Sequence, residues 1–355
     1  MMDAPQQFQE PGFLGWRRMF PWLHLMRVPG IAARVPILLV GFVASYLLIT
    51  IDVFTLHITG GEHLPSFREL YHQWDQVFFE AVSPNVTFFF WLQILAGFSY
   101  SAYFWNLTLT LLVHMISGLI ICRMAGALFT TGESTCLENS VLLSFKKFPS
   151  VGLSFLFPCL LIFFLGGLGY CCVATENIIS IGPWIGGILY GPAMLLFFMM
   201  IVFTLGVMLG WPLIIASLMI EDGDGFDAWS RSFDYIRSRL ISIFFFFTIC
   251  MIFGILIQTV IGELSMITWS WLDRLVSQIS GASLADVTNR DHATFSEGAG
   301  GFQNLWKTLW VCAVDGFLRS YYWVSVVGVY ILARYSVDRI PTTEFLIDEK
   351  KRPTT

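Results

Sequence analysis

Asp315 and Arg319 stand four residues apart inside an apolar run, 308–333. On a helix that spacing sets both side chains on one face, within pairing distance. A lone charge near the middle of a bilayer costs on the order of a few kcal/mol, so the two must offset each other or face a wet cavity. Intramembrane pairs of this kind serve ion paths, proton relays and substrate sites, and others only lock one helix against its neighbours. His114, near the middle of a second apolar run, is a candidate third member. A single His in a bundle is equally well satisfied by one plain hydrogen bond, so its type alone does not decide its role.

A second concentration of charge lies in the stretch 210–240, where Glu221, Asp222, Asp224 and Asp227 precede Arg231. Asp224 suits an N-cap, and Asp227 three residues on approximates a capping box with Asp in place of Glu. Phe226, Trp229, Phe233, Ile236 and Leu240 then recur at three- and four-residue intervals, the mark of one helical face. Asp227 and Arg231 have i,i+4 spacing on the opposite face. The clustered carboxylates invite comparison with a calcium loop, but no Glu closes the pattern at its final position. The expectation is a short amphipathic elbow on the cytoplasmic surface, leading into the next span. Elsewhere, Asp291 and His292 form an isolated pair in a Gly-rich stretch, and the run 297–301 reads as linker. Six of the seven cysteines (Cys122, Cys159, Cys171, Cys172, Cys250 and Cys312) sit in apolar runs without metal-ligand spacing, as buried free thiols do. No metal, cofactor or catalytic constellation is called for by these residues.

Composition says what holds them. Of 355 residues, 56% are hydrophobic and 13% charged, and the mean hydropathy is +0.69. So few charges cannot cover a soluble surface of this size, and much of it must face lipid. A net charge of −5 opposes nucleic acid as a partner, because phosphate binding needs a basic field. Apolar runs long enough to span a bilayer fall at about 36–58, 100–122, 150–173, 184–220, 240–262 and 308–333. The expected fold is therefore all-α, a polytopic bundle of six transmembrane helices with interfacial amphipathic helices. Residues 1–34 form an aromatic and basic interfacial segment (Phe13, Trp16, Arg17, Arg18, Arg27), 35–334 the membrane domain, and 335–355 a basic tail.

Prolines at 158, 192 and 212 are expected to kink or break the third and fourth spans. The fourth run is too long for one upright crossing, and the expectation is one long, tilted span broken at Pro192 and Pro212, with its first part a candidate re-entrant segment. Small residues Gly182, Gly186, Gly187, Gly191, Gly206 and Gly210 suggest close helix packing there. The stretch 85–99 reads as an outer interfacial helix. Leu264, Ile267, Trp271, Leu275 and Ile279 repeat helically at the start of the last outer segment, 263–307. Orientation follows from the basic residues. Only Arg68, Arg274, Arg290 and Lys307 fall outside and Arg319 falls within a span, leaving 15 of the 20 on the side that holds both termini. By the positive-inside rule that side is cytoplasmic.

The run Ala228-Trp229-Ser230-Arg231-Ser232, preceded by Pro212 near the inner end of a span and an acidic-glycine turn, resembles a broad group of bacterial multi-pass membrane proteins. That group includes the membrane domain attached to some glycerophosphodiester phosphodiesterases. The ending, from Tyr330 through Arg334 and Asp338 to Glu344, is similar to the close of its stand-alone members. The resemblance implies a six-helix domain of a bacterial cytoplasmic (inner) membrane. It implies no phosphodiesterase activity, since no such domain is present beside the spans. The functional expectation is a structural or accessory protein, lipid-associated or part of a larger membrane assembly. Its partners are then the bilayer, specific lipids or other membrane proteins. The alternative is a small-solute transporter or channel that uses Asp315 and Arg319.

Overall fold

The computed structural model describes residues 21–58, 103–177, 182–221, 223–280 and 299–339. The expectations for Phe13, Trp16, Arg17 and Arg18, for the helix over 85–99, for Asp222, for Asp291 and His292, and for the tail beyond 339 lie outside these residues.

The described elements are all helical. A 3₁₀ turn, Pro21–Arg27, leads into α1 (Val28–Ala32), and six long helices follow: α2 (Val35–Ile58), α3 (Tyr103–Thr130), α4 (Leu137–Ala174), α5 (Gly182–Glu221), α6 (Gly225–Ser280) and α7 (Ala299–Asp338). Six helices are long and apolar enough to cross a membrane, which makes the chain an all-α, multi-pass membrane bundle. The physical reason is the backbone. Without water, each N–H and C=O must find its partner inside the segment, and a helix provides that. Successive helices alternate in direction. The end of the bundle that gathers the short turns after α3 and α5 is called here the elbow end, and its opposite the far end.

The prolines do not break these helices. Pro149 and Pro158 lie inside α4, and Pro192 and Pro212 inside α5, with helix on both sides. At 40 residues α5 is about 60 Å long, one continuous helix rather than a span with a re-entrant part. The break falls instead at Arg239, whose backbone (φ −140°, ψ 35°) leaves the helical region within α6. That is where the amphipathic elbow gives way to uniformly apolar chain. Beyond it α6 runs on through Leu264, Trp271 and Ile279, so the helical repeat there continues the helix of the fifth span without a break. The expected linker at 297–301 likewise overlaps the first turn of α7.

The expected loop after residue 122 is largely helix. α3 continues to Thr130 and ends at a turn in which Gly132 takes φ +76°, a left-handed conformation that glycine adopts without strain. Basic residues there satisfy helix ends. Arg27 donates to the carbonyls of Leu128 and Phe129, both at 3.2 Å, and lies over the Phe129 ring. Arg123, buried, donates to the Met219 carbonyl at 3.3 Å, and Lys147 to the Gly223 carbonyl at 3.2 Å. Each places a cation where unpaired carbonyls and the negative end of a helix dipole favour it.

The core is formed by α3, α7 and the last turns of α5. Trp211, Leu213, Ile215 and Leu218 of α5 are almost fully buried, as are Leu119, Ile121, Trp323 and Tyr330. The far-end half of α5 and much of α4 instead expose Phe164, Tyr170, Trp184, Ile188 and Met194. Close packing is carried by some of the α5 glycines, with Gly186 against Glu176, Gly206 against Phe233 and Gly210 against Ile236, but not by all. A Cβ on Gly187 or Gly191 would meet nothing within 4 Å, whereas one on Gly41 would collide with the Gly316 backbone and one on Gly118 with the Trp323 ring. Backbones cross tightly between α2 and α7, which needs both Gly41 and Gly316, and a Cβ on Gly225 at the start of α6 would meet the Ser150 carbonyl of α4 as closely.

Two substitutions separate these roles. Gly316→Ala is expected to cost about 1–3 kcal/mol by forcing α2 and α7 apart. Gly187→Ala should be neutral or gain up to ~1 kcal/mol from helix propensity. Unfolding midpoints in mild detergent check both.

Candidate functional site

The tight crossing of α2 and α7 brings Ser45 to Asp315. Ser45 lies one helical turn beyond Gly41, and Asp315 immediately precedes Gly316. The Ser45 hydroxyl donates to Asp315 Oδ2. Arg319 Nε donates to the same oxygen at 2.7 Å and reaches Ser45 Oγ at 3.2 Å. From α3, His114 Nε2 lies 3.3 Å from Arg319 Nη1. A guanidinium has only donors, so Nε2 is the acceptor and the imidazole proton sits on Nδ1. Three helices thus place four polar side chains at one depth, with exposures of 0% for Ser45, 3% for His114, 6% for Asp315 and 9% for Arg319.

One atom of this quartet stands apart. Asp315 Oδ1 is buried and has no hydrogen-bond partner among the described residues. Its sister oxygen carries both of the carboxylate's bonds. The arrangement is not that of a hydrolytic serine. Ser45 gives its proton to a carboxylate already engaged by Arg319, and His114 faces the guanidinium rather than the hydroxyl. What it can do is hold a compensated charge pair with one open acceptor.

Polar residues lead from the quartet toward the far end. On α3, Thr110 and Asn106 stand one and two turns beyond His114. The Thr110 hydroxyl donates to Asn106 Oδ1 at 3.1 Å, and the Asn106 amide donates to Asp52 Oδ1 at 3.0 Å. Asp52 is on α2, seven residues from Ser45 and so on the same face. Toward the elbow end the seam closes with bulk. Ser320 Oγ bonds the Ile37 carbonyl at 3.1 Å, and Trp323 packs edge-on to Trp211 with ring centroids 5.7 Å apart.

The expected elbow residues meet in a second cluster. Glu221, at the end of α5, pairs with Arg231 through Oε2. Its Oε1 accepts from the Tyr330 hydroxyl at 2.5 Å and is ion-paired with Arg334, whose Nε lies 3.3 Å away. Tyr330 also reaches Ser217 Oγ at 3.1 Å, and the Tyr235 hydroxyl donates to Asp338. Arg231 therefore turns to the buried Glu221, where the need for compensation is greatest, although Asp227 on its own helix has the i,i+4 spacing. Asp224 and Asp227 are exposed. The Asp224 carbonyl accepts from Ala228 N–H at 3.0 Å, as an N-cap backbone does. The expected apolar face is split. Ala228, Ser232, Tyr235 and Ile236 are buried, Trp229 and Phe233 stack on each other, and Phe226 and Leu240 face outward. The elbow ties three helix ends together.

Ser45, Asn106 and Thr110 carried no mark in the sequence beyond a polar type in apolar surroundings. Ser45 and Asp52 on one helical face was the signal available. Tyr330 and Arg334 were visible only as part of the chain's ending. Among the described residues no group of three or more His, Cys, Asp and Glu side chains is placed to hold a metal ion, and all seven cysteines are free. No protein-family model, curated protein or solved structure matches the chain.

Removing one member of a buried pair orphans the other. Asp315→Ala or Arg319→Ala alone should cost about 3–5 kcal/mol, and the double apolar replacement should cost less than either. Denaturant midpoints of the three variants test this, and equal losses would contradict it. At the elbow, Glu221→Gln should destabilise clearly. Arg231→Ala, whose side chain is 50% exposed, should cost under ~1 kcal/mol.

Proposed function

We propose that this chain is a multi-pass protein of a bacterial cytoplasmic membrane that carries a small solute or ion along the seam between α2, α3 and α7, using Asp315, Arg319, His114 and Ser45. The carrying observation is the convergence of these four side chains from three helices at one buried depth. A lock between two helices needs only a matched pair. Here a third helix contributes, and a carboxylate oxygen is left open. Polar residues, Thr110, Asn106 and Asp52, extend from the site to one end only. The excess of basic residues assigns the elbow end and both termini to the cytoplasm, so the polar approach faces outward.

A second reading is an accessory or lipid-associated member of a larger membrane assembly. The observation that favours it is the far-end half of the α4–α5 pair, where Phe164, Trp184, Ile188 and Met194 are all exposed. Lipid covers such a surface as well as a protein would, so it carries less weight than the quartet.

Flux in proteoliposomes separates the readings. Wild-type protein should move at least one of a panel of small cations, anions and zwitterions faster than empty vesicles. Asp315→Asn should lower that rate by roughly tenfold or more, equivalent to about 1.4 kcal/mol in the barrier. Sealed vesicles that hold folded wild-type protein and show no flux contradict the transport reading.

A further inference from the structure

We infer that residues 237–241, where the elbow of α6 turns into the span, bind the headgroups of anionic phospholipids in the adjacent leaflet. The surface lies apart from the quartet, so the inference stands independently of the transport reading. Its first ground is where the elbow sits. Ser154 Oγ of α4 donates to the Gly225 carbonyl at 2.8 Å, and Trp229 meets Phe157 of α4 edge-on with ring centroids 4.9 Å apart. Phe233 packs on Phe203 of α5 at 5.8 Å, with Gly206 beneath its ring. Phe157 and Phe203 belong to helices long and apolar enough to span a membrane. The elbow therefore runs across the flanks of two spans, the setting of an interfacial helix whose apolar side meets acyl chains and whose charges meet headgroups.

Charge complementarity decides what covers the outward side. Other polar groups of the elbow are engaged within the protein: Arg231 and Arg334 pair with Glu221, and Tyr235 donates to Asp338. Arg237 and Arg239 are exposed, and neither has an ion-pair partner among the described residues. Asp234, also exposed and one turn before Arg237, forms no ion pair with it. Leu240 and Ile241 follow directly, 50% and 85% exposed. The kink at Arg239 sets the arginines where the elbow ends and the aliphatic residues where the span begins. Their occupant must be anionic at one end and apolar at the other, and an anionic phospholipid is both. A guanidinium binds phosphate oxygens through parallel hydrogen bonds. Inorganic phosphate would satisfy the arginines and leave Leu240 and Ile241 bare. A zwitterionic lipid would cover the aliphatic residues while its ammonium opposed the arginines.

Lipid-specific quenching tests this. The full-length chain, free of its native cysteines and carrying a bimane label at Ser238→Cys between the two arginines, is reconstituted in phosphatidylcholine vesicles. Dibrominated phosphatidylglycerol or dibrominated phosphatidylcholine is added as quencher. Phosphatidylglycerol should quench at a mole fraction about fivefold or more below that needed for phosphatidylcholine, since each basic residue near an anionic surface contributes up to about fivefold. Arg237→Gln and Arg239→Gln should each lower the preference about two- to fivefold, and Arg239→Lys, which keeps the charge, should retain it. Arg274→Gln removes an exposed cation from the far end of the same helix and should leave the preference unchanged. Equal quenching by the two lipids overturns the inference without any charge variant having to fold. Survival of the preference in the double Arg→Gln variant overturns it as well. So does its abolition by inorganic phosphate when sodium chloride of equal ionic strength has no such effect, because the arginines would then serve a free anion.

Discussion

A carboxylate and a guanidinium withdrawn from water into an apolar bundle remain there only if each is compensated by the other and by neighbouring dipoles. That requirement organises the centre of this protein. Asp315 and Arg319 compensate one another along α7, but their shared lone pairs and donors need a hydroxyl from α2 and an imidazole from α3. Bringing α2 that close to α7 excludes any side chain at Gly41 and Gly316, which is why two glycines mark the crossing. The polar chemistry and the close packing of α2 on α7 are one constraint seen from two sides.

From that crossing the two ends of the bundle diverge. Toward the elbow, aromatic bulk from Trp211, Trp323 and Tyr330 fills the interior, and the Glu221 cluster fastens the ends of α5, α6 and α7. Arg27 and Arg123 bind helix carbonyls there and Lys147 the carbonyl of Gly223 in the turn between α5 and α6. Toward the far end the seam is polar, and the helices of the α4–α5 pair turn apolar surface outward. At that end α6 and α7 are joined by the Trp310–Ser265 hydrogen bond at 3.1 Å and by Lys307 over Trp269.

The sequence made the class of fold legible because apolar length and charge scarcity are properties of the chain itself. The Asp315–Arg319 pair was legible for a similar reason, since i,i+4 spacing is local. What depends on which helix lies beside which was not. His114 was a candidate without a known neighbour, and Ser45 was one hydroxyl among several in a mostly apolar helix, marked only by sharing a face with Asp52. In such helices polarity no longer distinguishes buried from lipid-facing residues, so Gly187 and Gly191 looked like packing residues and are not, whereas Gly186, Gly206 and Gly210 are. The prolines leave α4 and α5 uninterrupted because, in an apolar bundle, neighbouring helices and local adjustments satisfy the carbonyls that a proline frees. The break at Arg239 came where the pattern changes from amphipathic to uniformly apolar.

Whether the quartet is a site reached from outside or a dry lock turns on water along the seam. The most direct measurement places single cysteines, in a background lacking the seven native ones, at Asn106, Thr110 and His114 and at Thr108 and Leu112 on the opposite face of α3. A membrane-impermeant thiol reagent is then applied from the far-end side. The account predicts labelling at Asn106→Cys and Thr110→Cys, slower labelling at His114→Cys, and none at the other two. Protection at Thr110 and His114 alike, or equal labelling around the helix, would contradict it.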